Sequence, residues 1–231
     1  MRYEAVIFDL FGTLIQTVSP DDYQRMLAEV AGALRVDSDT FAGVWRATVD
    51  ERESGFLGGI SEILGHTSGA AGRTASAVEI ADARLRWLAI TREWLTPRND
   101  ARATLEVIRG MGVKVGLLSN CSAEVPTLWS TITIADLFDS IVFSCELGAM
   151  KPNSSTYQAV AKNLGFNPTQ CMFVGDGGAR ELSGASAVGM KACLLRVPGE
   201  EYAWFDSFYR EDALEWKGTT VGSLSQLPSM V

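Results

Sequence analysis

The chain is poor in histidine, in paired cysteines and in clustered basic charge. Its single histidine, His66, sits in a Gly-rich stretch, which leaves any reaction built on an imidazole base with one candidate. The four cysteines, Cys121, Cys145, Cys171 and Cys193, form no C-x-x-C pair. They lie in or beside apolar runs, where a thiol packs as a small buried hydrophobe. With no signal peptide at the start, this usage fits a reducing cytoplasmic setting. No basic run exceeds two residues, and the net charge is -8 from 20 basic and 28 acidic residues. A nucleic-acid groove needs concentrated Lys and Arg, so that partner is excluded. The apolar runs are too short to span a bilayer, which excludes a membrane partner. What remains is a 231-residue chain, 47% hydrophobic and 21% charged, long enough for one large core with a smaller inserted unit. An anionic small-molecule substrate would have to be held by a local pocket, since the overall field is negative.

Five short apolar runs read as buried strands: 4–9, 113–120, 140–144, 171–176 and 191–197. Helical spacing follows between them, with Ala101, Leu105, Ile108 and Met111 on one stripe and Tyr157, Ala161 and Leu164 on another. This alternation predicts an α/β fold, a doubly wound parallel sheet covered on both faces. The alternation breaks once. Residues 20–34, 39–50 and 80–94 have helical patterns with no strand between them. Gly55 to Thr74 is rich in Gly and Ser and reads as turns with a short helix at most. The expected division is therefore a core of residues 1–16 and 96–231 with a helical insert of residues 17–95. Residues 198–217, which carry Trp204, Phe205, Phe208, Tyr209 and Trp216, read as an aromatic-rich helix on the core edge.

In doubly wound sheets ligands bind beyond the carboxyl ends of the strands. The polar residues there form a small set: Asp9 with Gly12 and Thr13, then Ser119 and Asn120, then Lys151, then Asp176 and Glu181. Each alone has an ordinary explanation as a cap, a turn or a solvated side chain. Together their chemistry is coherent. A carboxylate such as Asp9 can attack phosphorus or an activated carbon. Asp9 and Asp176 can hold Mg²⁺, a hard cation that takes oxygen ligands. Lys151 and Ser119 can bind oxygens that gain charge in the transition state, and Gly12 permits close backbone approach.

The stretches FDLFGTL, LLSNCS, FSCELGAMKP and VGDGGARELSGA, in this order, make the chain resemble the haloacid dehalogenase superfamily. The resemblance is to the branch with a helical cap inserted after the first motif. It implies a Rossmann-like core, a mobile cap and Asp9 as nucleophile. It further implies that Ser119 and Lys151 bind the transferring group, that Asp176 ligates the metal, and that the main-chain carbonyl of Phe11 is another ligand. The substrate contacts expected are Gly12, Thr13, Ser119, Asn120 and Lys151, with Arg46 as a cap anion binder and Arg52 and His66 as further candidates.

One position departs from the phosphatase pattern. Phosphatases of this superfamily carry a second aspartate two residues after the nucleophile, which protonates the leaving alcohol. Here that residue is Phe11. Haloacid dehalogenases carry tyrosine there and need neither acid nor metal. The last motif points the other way, because Asp176 and Glu181 beside Asp9 would repel one another without a cation. Glu181, longer than the usual aspartate by a methylene, is expected to act on the ion through a water. The sequence thus supports a Mg²⁺-dependent phosphatase acting on a small phosphorylated metabolite. A metal-free dehalogenase and a non-catalytic phospho-ligand binder remain as alternatives.

Overall fold

The structure is a computed structural model, which describes residues 3–200 and 211–231. Residues 201–210 of the expected aromatic excursion, including Trp204, Phe205, Phe208 and Tyr209, lie outside the described residues. Six strands form one sheet in the order β3-β2-β1-β4-β5-β6, and every neighbouring pair is parallel. They are β1 (Ala5–Phe8), β2 (Lys114–Ser119), β3 (Ser140–Phe143), β4 (Cys171–Gly175), β5 (Lys191–Leu195) and β6 (Thr219–Val221). The sequence reading missed β6, an edge strand of three residues with only Val221 buried.

β1 is fully buried, and its side chains alternate between two cores. Val6 and Phe8 join one apolar cluster with Leu105 and Ile108, while Ala5 and Ile7 join the other with Tyr157 and Val160. The strand order reverses between β1 and β4. This is the switch point at which adjacent connections leave in opposite directions and open a crevice. Asp9 follows β1 and Asp176 follows β4, so the topology alone places the two carboxylates side by side.

Five helices occupy the segment between β1 and the return to the sheet. They are α1 (Pro20–Ala33), α2 (Ser38–Ala47), α3 (Val49–Glu53), α4 (Ile60–Ala70) and α5 (Ala77–Trp94). α1 starts on a Ser19 cap with Pro20 in its first turn, and α5 starts on a capping box of Ser76 and Glu79. These helices build their own apolar cluster, including Leu27, Phe41, Ile63 and Trp87. Across 55–74, read as turns with a short helix at most, α4 takes 11 residues. Ile60, Ile63, Leu64 and Thr67 fall on one buried stripe. Burial of that stripe against the other helices outweighs the low propensity of Gly65 and Gly69.

The sheet is flanked by α6 (Ala101–Gly110), α7 (Glu124–Leu128), α8 (Ser144–Leu147), α9 (Ser154–Leu164), α10 (Glu181–Ala187) and α11 (Glu211–Glu215). Among the described residues no helix is long and apolar enough to cross a membrane.

Candidate active site

Lys151 is the centre of the strand-end cluster. It is 5% exposed, and its Nζ donates to Asp9 Oδ1 and to Glu181 Oε2, each at 2.5 Å. Its backbone is fixed by Asn120, whose Oδ1 accepts from Lys151 N at 2.9 Å and whose Nδ2 donates to Lys151 O at 3.3 Å. Asn120 therefore positions the lysine as well as lining the cavity. Burial pulls the Lys151 pKa down, but the charges of Asp9 and Glu181 more than offset this and hold it above the ordinary lysine value.

Three carboxylates surround this one cation. Asp9, Asp176 and Glu181 each offer an oxygen, and these lie within 4.8 Å of one another. Burial and the Asp9 charge push Asp176 up to about 6, and the same causes hold Glu181 well above the usual carboxylate range. Asp176 and Glu181 are thus held toward their protonated forms by burial and by the neighbouring negative charge. Asp9 Oδ2 is buried and has no hydrogen-bond partner. An oxygen donor set with excess negative charge and an unpartnered oxygen fits a hard divalent cation.

The loop after β1 fits closely under Asp176. Gly12 has φ +80°, and a Cβ there would lie 2.2 Å from Asp176 Oδ2. Its carbonyl accepts from Arg98 Nη2 at 2.9 Å, and the Thr13 carbonyl accepts from Arg98 Nε at 2.8 Å. Arg98 also pairs with Glu200. The sequence reading missed Arg98. Its only signal was a position next to Pro97, where the chain rejoins the core.

The expected residues are not all brought together. Asp9, Phe11, Asn120, Lys151, Asp176 and Glu181 line one cavity of 260 Å³. Gly12, Thr13 and Ser119 are buried behind its wall, and the Ser119 hydroxyl donates to the Asn120 carbonyl at 3.4 Å. Arg46 is a correction: it is exposed on α2, because its neighbour Trp45 takes the inward face. His66 is likewise exposed on α4. Glu181 reaches the same cluster, where its two oxygens accept from Lys151 Nζ and from Gly177 N.

The helices close the cavity with Tyr23, Trp45, Arg52, Glu53, Trp87 and Trp94. Arg52 lies over the Trp45 ring at 4.0 Å, with Nη1 donating to the Trp45 carbonyl at 2.5 Å. Burial pushes both Glu53 and Glu124 up to about 7.

A family model described as haloacid dehalogenase-like hydrolase matches residues 3–189. The chain belongs to the haloacid dehalogenase-like hydrolase family. Among curated relatives, the chain is 40% identical over 103 residues to a phosphatase of Mycobacterium tuberculosis, covering 44% of the chain and 47% of the relative. With two further curated phosphatases it spans 45% and 65% of their lengths. It is 26% identical over 208 residues to an (S)-2-haloacid dehalogenase of Xanthobacter autotrophicus, covering 86% of the chain and 77% of the relative. A solved family enzyme of Bacteroides thetaiotaomicron superposes with TM-score 0.68 at 17% identity, over 87% of this chain and 97% of that one, a likeness of fold.

Proposed function

We propose that this hydrolase is a Mg²⁺-dependent phosphatase of small phosphorylated metabolites, with Asp9 as its nucleophile. The observation that carries this reading is the surplus of three carboxylates around one lysine. A cluster of this kind has no evident use in displacing a halide.

In this reading Lys151 holds Asp9 Oδ1 and leaves Oδ2 to attack phosphorus. The new Asp9–phosphorus bond forms as the bond to the leaving oxygen breaks, and water then hydrolyses the aspartyl phosphate. Asp9, Asp176 and the Phe11 carbonyl would hold the ion, with Glu181 behind Lys151. When bound, Mg²⁺ offsets the repulsion between Asp9 and the phosphoryl oxygens. Phe11 carries no proton, so the leaving oxygen takes one from solvent. General acid help is worth roughly 10²–10⁴-fold. Acyl phosphates, whose leaving groups need little help, therefore turn over faster than simple alkyl phosphates.

The dehalogenase reading keeps one support: Phe11 at the position of the missing acid, together with a dehalogenase relative aligned along most of the chain. Incubation with phosphate esters and with 2-chloropropionate, in Mg²⁺ or in EDTA, separates the two. Phosphate release that requires Mg²⁺ is expected, and chloride release in EDTA overturns the proposal. Asp9→Asn removes either activity while leaving the circular-dichroism spectrum unchanged.

A further inference from the structure

The cavity lining also carries polar groups that the strand-end cluster does not use. Besides Asp9, four of its lining residues keep a buried polar atom with no hydrogen-bond partner: Thr17 Oγ1, Arg52 Nε, Trp94 Nε1 and Glu124 Oε2. Arg52 is only 3% exposed. Buried polar groups are nearly always paired, so four such atoms on the lining of one cavity mark places that a ligand fills. Two of them, Arg52 Nε and Trp94 Nε1, can only donate.

The same lining is rich in aromatic rings: Phe11, two residues after the nucleophile, with Tyr23, Trp45, Trp87 and Trp94 from the helices. Trp45 and Trp87 meet edge to face at 4.9 Å, and Trp45 Nε1 donates to Tyr23 Oη at 3.0 Å, so these rings are held in place. A planar ring packs well against such walls.

Three constraints then act on one molecule. The leaving group must depart without a proton from position 11. Its body must suit aromatic walls. Its polar substituent must accept from Arg52 and Trp94 and donate to the acids. A phenol, with a pKa of about 10, leaves far more readily than an alcohol. A carboxylate in that place would meet Glu53 and Glu124, and an ammonium would meet Arg52. An uncharged group avoids both. We infer that the substrates are small aryl phosphate monoesters whose ring carries an uncharged group that both donates and accepts hydrogen bonds. This rests on the phosphatase reading. Attack by Asp9 Oδ2 on phosphorus expels the phenolate, which takes its proton from water. A second water cleaves the aspartyl phosphate and regenerates Asp9.

The test measures kcat and KM with Mg²⁺ for 4-carbamoylphenyl, 4-carboxyphenyl and phenyl phosphates, with acetyl phosphate as a good leaving group that carries no ring. The expected order by KM is carbamoyl lowest, with phenyl and carboxy each about tenfold higher, the scale of a buried hydrogen bond. Trp94→Phe and Glu124→Met each shrink the carbamoyl preference over phenyl about tenfold, through KM rather than kcat. Trp94→Phe keeps the ring, so it remains informative if the other variant does not fold. Turnover of acetyl phosphate with equal KM for all three ring esters overturns the inference and leaves the phosphatase reading standing. No phosphate release from any of the four overturns both.

Discussion

The strand-end cluster and the helical wall above it satisfy their polar atoms in different ways. At the strand ends Lys151, Asp9 and Glu181 pair with one another, Asn120 clamps the lysine backbone, and Arg98 holds the Gly12 and Thr13 carbonyls. Above them, Arg52 and Trp94 from the inserted helices and Glu124 from α7 each keep a buried polar atom without a partner. The first region is preorganised for one kind of charge transfer, with little left to adjust. The second keeps its donors and acceptors for what enters. Chemistry thus stays at the strand ends, while selectivity draws on the inserted helices, which have their own apolar cluster, and on α7 of the sheet unit.

The comparison breaks most severely if the lysine is lost. Lys151→Met leaves three buried acids without their cation and should cost about 3–5 kcal/mol in urea unfolding, with activity lost. That deficit shrinks as the pH falls, because Asp176 and Glu181 take up protons. Gly12→Ala is the next largest effect. It forces an unfavourable φ and drives a methyl group into Asp176. A loss of about 1–3 kcal/mol is expected, with a rise in the Mg²⁺ concentration needed for activity.

A metal titration sharpens the electrostatic half of the contrast. Asp176 binds its proton more tightly in the folded chain, at about 6, than at its ordinary value of 3.8. The metal-free protein therefore loses stability as pH rises through that window. A cation needs the ionised form, so the gain in Tm from saturating Mg²⁺ should be larger at about pH 8 than at about pH 5. A gain independent of pH would remove Asp176 from the ion's ligands. The smallest effect is expected at Arg46, which is exposed on α2. Arg46→Ala should change stability by less than about 0.5 kcal/mol and leave KM unaltered, in contrast to variants of the inward-facing Arg52.

The legible part of the site follows from chain order. Asp9 and Asp176 end apolar runs, and two adjacent parallel strands bring such ends together whatever the side-chain detail. Phe11 was equally legible, as an aromatic residue where related phosphatases carry an acid. The helix at 60–70 was not, because its glycines hide a stripe that only partner helices make worth burying. Arg46 and Arg52 show the same limit one step later. Both are arginines on short helical stretches, and nothing local says which one turns inward.

By itself, then, the sequence determined the parallel sheet, the helical insertion and the strand-end acids, because burial periodicity and strand order are local or nearly local properties. Only the tertiary structure decided that Glu181 pairs with Lys151, that Arg98 reaches back to the Gly12 and Thr13 carbonyls, and that Glu124 shares a cavity with Arg52 and Trp94. These contacts join residues 30 to 86 positions apart. Their partners are chosen by packing of whole elements, and no period in the chain encodes that.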